Sequence, residues 1–510
     1  MKQSKLPSEI GKVRRSPFFW VCLIGIAVLC AVVTFISGTE YEELTGLARL
    51  LCLVVLLCSL AAYRFSPPST SGMPSRLLDT APTGLIAGAI GIGIALLATS
   101  LALSFPVHLY DEGIWSYIAG AWVHFHHLPY IDAVENKTPG IFYLFALGQY
   151  LPGPDYLLPR LAGVVANIIA AWGIYRLGCR LRDRFTGLLA FILYGFATLF
   201  LAFEGHFTSA TETFMLACSI WAAVCIFTAA QASSRRRYFL LLASAGALCG
   251  LAITFKQIAI MTTGGLFFAY LWQPSPFRKS RTAVLRDTSI MAGALLATHL
   301  ISLIPLLLSG ISFGAYWDGA WRILAHAGSS VPDPSKRISK FLYIMESGEL
   351  QLFLPLLLFF TVWRGKVADR PIVIGLVWWF VCDALGALLP GNYFGHQLRQ
   401  LLPALCLLSA LTIRTLTGID ISRSHQPVQA TAWLVVASIA ALWLPPLRFV
   451  EKEDVKQSYC KCMQQVAAYL QTHTSPAEMI YIFNSDRGTP ILANAHRLAA
   501  SRYFTQFFAE

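Results

Sequence analysis

The sequence predicts an all-α, polytopic membrane protein with about 13 membrane-spanning helices. Of its 510 residues, 56% are hydrophobic and only 13% are charged, and the mean hydropathy is +0.59. Apolar runs of about 17 to 25 residues, the length that crosses a bilayer, recur along the chain. Lys and Arg cluster between alternate runs. These observations exclude a soluble globular domain with a charged surface.

The predicted spans follow the apolar runs in chain order. Residues 18–36 are expected to stay in the membrane, because they are long enough to span it and no signal-peptide cleavage site follows. The run at residues 141–151 is too short to cross, so it predicts an interfacial or re-entrant helix after Pro139. The predicted spans are residues 18–36, 47–63, 83–105, 155–177, 185–203, 208–230, 238–254, 258–272, 288–308, 341–363, 371–389, 399–416 and 430–447.

The basic residues orient the chain with a cytoplasmic N-terminus. Lys and Arg lie in every second connection, whereas the intervening connections are mainly acidic. The net charge of +12 therefore reflects membrane topology, and we expect contact with membrane lipids but not with nucleic acid. The cytoplasmic basic residues are Arg64, Arg76, Arg176, Arg180, Arg182, Arg184, Arg235, Arg236, Arg237, Arg278, Lys279, Arg281, Arg286, Arg364, Lys366, Arg370, Arg414 and Arg423.

This pattern divides the chain into three regions. Residues 1–82 contain a cytoplasmic tail and two additional membrane helices, and residues 83–449 form the transmembrane core. The first large extracytoplasmic loop of that core is residues 106–154. Residues 450–510 form a small extracytoplasmic region, close to the lower size limit for independent folding.

The candidate active site starts in the first outer loop, where polar and aromatic residues interrupt the apolar runs. Asp111 and Glu112 lie just beyond a predicted span, and Lys137 stands before a Pro-Gly turn. An acid pair and a cation on one membrane face supply a general base and a phosphate-binding group. The aromatic residues of this loop suit sugars and membrane interfaces. An ordinary wet loop, with acids flanking a helix end, is the alternative.

This loop resembles the first extracytoplasmic loop of C-type, lipid-phosphate-dependent glycosyltransferases. The likeness is strongest to the protein-mannosyltransferase-like and lipid A aminoarabinose-transferase-like branch. In that family an Asp-Glu-type pair follows a span, and a Lys-Pro-Pro-like motif closes the loop. Residues 136–140 read NKTPG, so only the second proline of the motif is matched. The resemblance covers roughly residues 83–415 and implies the C-type glycosyltransferase fold, with juxtamembrane helices in this loop.

Further candidates lie in the turn between the fifth and sixth predicted spans. Glu204 and His206 occupy the turn, and Glu212 lies at the start of an apolar helix, where ionisable side chains usually face a cavity. The pair Thr211-Glu212 matches a Thr-Asp-like or Thr-Glu-like pair of the family. A carboxylate that only complements the helix dipole is the alternative for Glu212.

Three further residues complete the candidate phosphate site. Lys256 lies in the short outer connection after the seventh span, where the family often has a Thr-Lys-like pair. His396 and Arg399 lie at the outer mouth of the twelfth span, in a stretch similar to the family's His-Tyr-x-x-x-x-Pro-type motif. Arg399 can grip a phosphate through two parallel hydrogen bonds, which Lys cannot. Snorkelling to the headgroups and simple anchoring are the alternatives.

The resemblance implies an enzyme that moves a hexosyl or pentosyl group, with inversion, from a polyprenyl-phosphate donor to a glycolipid, glycan or protein acceptor. The expected location is the bacterial inner membrane, with an extracytoplasmic active site. Asp111 is the expected base, although the residues alone leave Glu112 open for that role. The other expected roles are acceptor or sugar orientation by Glu112 and Glu212, phosphate binding by Lys137, Lys256, His396 and Arg399, and substrate binding by Tyr110, Trp115, Tyr143, Glu204 and His206.

Two alternatives to a transferase stay open at this point, namely a transporter or flippase and an enzyme-like receptor without turnover. A transporter or a flippase for lipid-linked sugars would use the intramembrane residue Asp383 for coupling.

A divalent metal is the candidate cofactor, because His124, His126 and His127, with Glu135 or His206, offer imidazole and carboxylate ligands. Some relatives bind a metal through an acid directly before the motif lysine, but that position is Asn136 here.

Overall fold

The computed structural model describes residues 110–200, 209–278, 280–323, 370–388, 395–417, 449–482 and 488–504. These residues are predominantly helical, and two short parallel strands pair near the end of the chain. The helices are α1 (Tyr110–Phe125), α2 (Gly140–Gln149), α3 (Leu157–Leu181), α4 (Arg184–Phe200), α5 (Thr211–Ala229), α6 (Arg235–Phe255), α7 (Ala259–Trp272), α8 (Arg281–Leu308), α9 (Phe313–Trp317), α10 (Arg370–Leu388), α11 (Leu402–Thr417), α12 (Phe449–His473) and α13 (Gly488–Ala495). A π-helical turn (Asp318–Arg322) follows α9, a 3-10 helix (Gly395–Leu401) precedes α11, and the strands are β1 (Met479–Ile480) and β2 (Leu498–Ala499).

Among the described helices, α3, α5, α6, α8 and α10 are long and apolar enough to cross a membrane. Their bounds agree with the predicted spans to within a few residues at most ends, and the protein is an integral membrane protein. The largest difference is α8, which begins at Arg281 rather than residue 288. The first three predicted spans and those at residues 341–363 and 430–447 lie outside the described residues. The total of about 13 spans therefore stays a prediction.

Local capping and backbone geometry set the ends of α6. Ser234 precedes the helix, and its hydroxyl accepts a hydrogen bond from the backbone N–H of Arg237 at 3.3 Å. Such a cap satisfies an N–H group that the first helical turn leaves unpaired. At the other end the backbone becomes extended at Lys256, and α7 begins only three residues later at Ala259. Lys256 is therefore held at the mouth of a membrane helix.

Helix α5 lies at the centre of the bundle and α8 at its periphery. In the most apolar stretch of α5, 83% of the residues are buried, compared with 17% in α8. Helix α8 packs closely on α6 at Gly246 and Gly250, where a Cβ atom would collide with the carbonyl oxygens of Met291 and Leu295. Small residues four positions apart allow this close approach between membrane helices. The exposed face of α8 is apolar, as expected for a surface that contacts lipid.

Helix α2 fits the predicted interfacial helix after Pro139. One side of it is fully buried through Ile141, Phe142 and Phe145. On the other side Leu147 is 58% exposed, and Tyr150, directly after the helix, is 72% exposed. An amphiphilic helix end of this kind, with a tyrosine at its edge, suits the membrane interface.

The first outer loop contains more regular structure than its polar composition suggested, because α1 occupies residues Tyr110–Phe125. The helix is stabilised by burial of Trp115, Ile118 and Ala119 rather than by local sequence pattern. Part of that burial comes from the region after residue 449, which was predicted to be a small separate unit. Helix α13 packs on α1 so closely that a Cβ atom on Gly113 would collide with Pro490.

Hydrogen bonds also join the tail, residues 449–504, to the first outer loop. The Tyr117 hydroxyl accepts from the backbone N–H of Ala499 at 2.9 Å, and Val134 N–H donates to the carbonyl of Arg502 at 3.0 Å. The tail thus gains buried surface from α1, which a region of its size needs for stability. It also fixes the helix on which the candidate acids lie.

Candidate active site

Asp111 and Glu112 share the first turn of α1 but have different surroundings. Glu112 is 1% exposed, and its carboxylate accepts two hydrogen bonds from Arg160, at 2.9 Å from Nε and 2.6 Å from Nη2. The Ser209 hydroxyl donates to the same carboxylate at 3.0 Å. A buried bidentate pair of this kind holds the carboxylate in one geometry. Glu112 therefore pairs with Arg160 in the structure. The predicted role of Glu112 in orienting the acceptor stays a prediction.

Asp111 is half-buried, and the described part of the chain gives its carboxylate neither a hydrogen bond nor an ion-pair partner. It nevertheless lies within electrostatic range of Lys137, Lys256 and His396. A carboxylate that is close to cations but not bound to them is suited to accept a proton from an incoming group. Geometry thus favours Asp111 over Glu112 as the reacting acid.

The ammonium group of Lys137 is held by the side chains of the two residues that precede it. Its ammonium group donates to Asn136 Oδ1 at 2.9 Å and to Glu135 Oε1 at 3.3 Å. Burial alone lowers the pKa of Lys137, but Glu135, Asp111 and Glu212 raise it, so the net pKa lies above its usual value. Lys137 is therefore a cation throughout the physiological pH range.

The backbone of the motif is fixed by two hydrogen-bond donors. The Tyr130 hydroxyl donates to the carbonyl of Lys137 at 2.7 Å. The amide of Gln257 donates to the carbonyl of Asn136 and, at 2.7 Å, to that of Ala320. Gln257 is 3% exposed, and the sequence interpretation missed it. The available signal was an amide side chain beside Lys256 at the junction of two apolar helices, since buried polar groups require partners.

Glu212 brings together two of the predicted phosphate-binding residues. Lys256 Nζ forms an ion pair with Glu212 Oε1, and His396 Nε2 lies 3.7 Å from the same oxygen. The other oxygen, Oε2, accepts from the Thr211 hydroxyl at 3.0 Å. Burial lowers the pKa of His396, and although Glu212 and Asp111 oppose this, the net pKa lies below its usual value. His396 is therefore a neutral hydrogen-bonding group at pH 7.

The Arg399 side chain is a buried cation without hydrogen bonds in the described structure. Its side chain is fully buried at 1% exposure, yet none of its three guanidinium nitrogens has a hydrogen-bond partner in the structure described here. Glu212 and Tyr194 are its electrostatic neighbours. Leaving a buried cation without hydrogen bonds is costly. An anionic ligand that reaches this depth would satisfy it.

Other predicted substrate-binding residues take different positions. Trp115 is 2% exposed, and its ring packs against Phe145 with centroids 6.0 Å apart, so it belongs to the core. The hydroxyl of Tyr143 donates to the carbonyl of Ser302 on α8 at 2.7 Å. Tyr110 is the first residue of α1. Glu204 and His206 lie outside the described residues. Substrate contacts by these residues stay predictions.

The histidines of the first loop do not gather around a metal site. His124 Nε2 is 3.1 Å from Gln149 Oε1, which gives that ring nitrogen a partner of its own. Within the described ranges, no group of three or more His, Cys, Asp or Glu side chains is placed to hold an ion. Asp111 and Glu135 interact electrostatically, but Lys137 is bound to Glu135. The donor set therefore does not fit a complete metal site by itself, and a divalent metal stays a prediction.

Asp383 lies away from these groups, in the interior of α10. It is fully buried, and one oxygen accepts from the Thr262 hydroxyl of α7 at 2.5 Å. Its backbone carbonyl accepts from the side chain of Gln400, next to Arg399. Asp383 thus joins α7, α10 and the 3-10 helix.

The chain matches a known protein family over part of its length. A family model for dolichyl-phosphate-mannose-protein mannosyltransferases matches residues 136–304, the segment that contains Lys137, Glu212 and Lys256. A search of curated protein sequences gave no significant match.

Solved structures with a similar fold include ArnT and an archaeal oligosaccharyltransferase. ArnT from Cupriavidus metallidurans in its apo state is 12% identical with a TM-score of 0.55, covering 83% of this chain and 87% of that one. ArnT bound to undecaprenyl phosphate is 13% identical with a TM-score of 0.53, covering 82% and 86%. The Archaeoglobus fulgidus oligosaccharyltransferase, in complex with Zn and sulfate, is 12% identical with a TM-score of 0.54. There the match covers 82% of this chain but only 62% of the archaeal one.

These comparisons confirm the resemblance to C-type glycosyltransferases that the sequence motifs indicated. At this level of identity the structural matches establish a shared fold. That fold is consistent with the arrangement of α1, α2 and the membrane helices around the acids and cations described above.

Proposed function

We propose that the protein is a glycosyltransferase that moves a hexosyl or pentosyl group from a polyprenyl-phosphate donor to a glycolipid, glycan or protein acceptor. One observation carries the proposal. The Asp111 carboxylate, which has no hydrogen bond in the described structure, lies within electrostatic range of Lys137 and Lys256. Arg399, in the same group of cations, is buried without a hydrogen-bond partner in the described structure. A site of this kind suits a reaction in which a base activates a hydroxyl and a phosphate leaves.

In the proposed mechanism, Asp111 removes the proton of the acceptor hydroxyl as that oxygen attacks the anomeric carbon. The bond between this carbon and the phosphate oxygen breaks, and the sugar is transferred with inversion. The proton ends on Asp111, and the electron pair leaves with the polyprenyl phosphate. Lys137, Lys256 and Arg399 stabilise the charge on that phosphate, so its departure requires no strong general acid.

While no donor is bound, Glu212 is expected to neutralise the charge of Lys256 and to hold its side chain in one orientation. The two side chains are only 3% and 12% exposed, so neither charge is well solvated. A phosphate that approaches would share Lys256 with Glu212. Because the lysine side chain is already held in place, binding would cost little side-chain entropy. His396, which is neutral at pH 7, would contribute a hydrogen bond rather than a charge.

The same reasoning supports a location in the bacterial inner membrane with the active site on the extracytoplasmic side. The basic connections place α1 and the cation group opposite the cytoplasm by the positive-inside rule. The undecaprenyl phosphate bound by ArnT supports a polyprenyl carrier for this chain too. The transporter alternative rested on Asp383, whose hydrogen bond to Thr262 gives it a local structural role.

Reconstitution tests the function directly. The full-length protein in proteoliposomes would receive a panel of polyprenyl-phosphate-linked sugars and an envelope glycolipid extract, and mass spectrometry would measure free polyprenyl phosphate. We expect release with one donor class, together with a matching mass increase in an acceptor, and no release with Asp111→Asn. Movement of intact donor across the membrane without release would instead indicate a flippase.

A further inference from the structure

A second cavity lies at the opposite end of α1 from Asp111. It has a volume of about 270 Å³ and is open to solvent. His124 is 13 residues beyond Asp111, so the two ends of the helix are about 20 Å apart along its axis, at 1.5 Å per residue. This volume is at the lower end of the range for ligand cavities, which suits one small group rather than a long chain.

A connected set of polar side chains forms one wall. His124 Nε2 contacts Gln149 Oε1 at 3.1 Å, and Gln149 Nε2 donates to Asp155 Oδ2 at 2.6 Å. The Ser116 hydroxyl donates to the same Asp155 oxygen at 2.5 Å. Side chains tied together in this way keep a fixed orientation, as a preorganised binding surface requires.

The tail supplies the opposite wall through Asn494 and His496. The contacts of α13 with Gly113 and of Ala499 with Tyr117 hold this wall against α1. The cavity therefore exists only because the tail packs on the first outer loop. Among the described residues that line it there is no Lys or Arg, and Asp155 is the one carboxylate, so this lining does not favour an anion.

The rim of the cavity is apolar and exposed, which suits a ligand with both a polar part and an apolar part. Leu151 lines the cavity and is 52% exposed, and the neighbouring Tyr150 is 72% exposed. These side chains continue the exposed apolar edge of α2, which suits the membrane interface. A ligand that places polar hydroxyls in the cavity and an apolar chain along this edge would match both surfaces.

From this geometry we propose that the cavity binds a neutral sugar in the head group of a glycolipid acceptor, at a position remote from the reacting hydroxyl. The inference rests on the proposed transferase function and narrows its acceptor to a glycolipid. Amide, imidazole and carboxylate groups together offer the donors and acceptors that sugar hydroxyls need. Binding at a remote sugar would position the acceptor for reaction at Asp111.

Binding and kinetics together test this inference. Full-length protein in nanodiscs would be applied to an array of neutral glycans, anionic glycans and peptides, with His124→Ala, Asn494→Ala and a His127→Ala control. His127 lies in the same loop but does not line the cavity. We expect wild type to bind a neutral glycan, and each cavity variant to weaken binding about three- to tenfold, the effect of losing one hydrogen bond. The control should bind like wild type.

In transfer assays the cavity variants should raise the acceptor KM and leave the donor KM unchanged. Preference of wild type for anionic glycans or peptides, absence of glycan binding, or an equal loss in His127→Ala would overturn the inference. Asp111→Asn separates it from the proposed function, because this variant should bind the glycan normally. Normal glycan binding without any transfer by wild type would refute the transferase proposal while supporting the cavity as a sugar site.

Discussion

Glu212 and Lys256, which lie 44 positions apart in the sequence, form an ion pair between the N-terminal end of α5 and the C-terminal end of α6. The pair joins two adjacent membrane helices and lies beside His396 and Arg399. Removing one partner of a buried ion pair typically lowers the free energy of unfolding by about 3–5 kcal/mol, because the other charge is left buried and unpaired.

Glu212→Gln should therefore lower the thermal unfolding midpoint of the detergent-solubilised protein, and Lys256→Met should do the same. The double variant Glu212→Gln/Lys256→Met should recover part of the loss, since neither charge is then left alone. Additive losses in the double variant would show that the pair is not coupled.

Asp111→Asn should lower turnover by roughly 10²–10⁴-fold, the contribution of a general base. Donor binding and protein abundance should stay near normal, because the described structure shows no hydrogen bond that the substitution would break. Glu112→Gln is the control, and it should mainly reduce thermal stability by weakening the bond to Arg160. If Glu112→Gln abolished transfer at normal stability while Asp111→Asn remained active, Glu112 would be the base.

Lys137→Ala should weaken donor binding by about 1.5–3 kcal/mol, the range for a hydrogen bond to a charged group. Its effect on the chemistry of bound donor should be smaller, because the cation meets phosphate in the ground state and the transition state alike. Titration with a fluorescent polyprenyl phosphate measures this affinity. Lys461→Ala, at an exposed position on α12, is the matched control. Unchanged donor affinity in Lys137→Ala would contradict the assignment.

His396 should make the protein less stable in acid. Its folded-state pKa is lowered, chiefly by burial, so the unfolded chain takes up a proton first as the pH falls below about 6.5. Stability from this group is complete above that pH and decreases as the pH falls toward the folded-state pKa. Thermal unfolding from pH 7.5 to pH 5.5 should show a larger decrease for wild type than for His396→Gln. Equal decreases would exclude His396 as the source.

Gln257→Met should disturb catalysis as well as stability. The substitution removes both hydrogen bonds that hold the carbonyls of Asn136 and Ala320, while keeping a similar side-chain volume. A shift of about 1 Å at Lys137 can reduce the rate on the order of 10²-fold. Gln273→Met is the matched control, because buried Gln273 also donates to a backbone carbonyl, that of Pro371 at 3.0 Å. Equal kinetic effects of the two variants would argue against a positioning role for Gln257.

The membrane helices and the common side of the candidate cations could be predicted from the sequence because their signals are local. Apolar length marks the spans, and basic clusters such as residues 235–237 indicate which helix ends share a side. The resemblance implied helices in this loop, but local pattern did not indicate the position of α1, because its buried face is covered in part by α13, whose Pro490 lies 377 positions after Gly113. A local pattern carries no information about such a partner.

The different surroundings of Asp111 and Glu112 could not be predicted from the neighbouring sequence either. The partner of Glu112 is Arg160, 48 positions away at the start of a membrane helix, where the topology analysis gave it no role. Once that pair is seen, geometry favours Asp111, because both oxygens of the Glu112 carboxylate are already hydrogen-bonded to Arg160.

The hydrogen bond between Tyr117 and Ala499 joins residues 382 positions apart, which has a consequence for biogenesis. During synthesis α1 leaves the ribosome long before the residues that cover it. Contacts of such high sequence separation form late in folding. Newly inserted chains should therefore pass through a stage in which the membrane helices are in place but α1 is still incompletely packed.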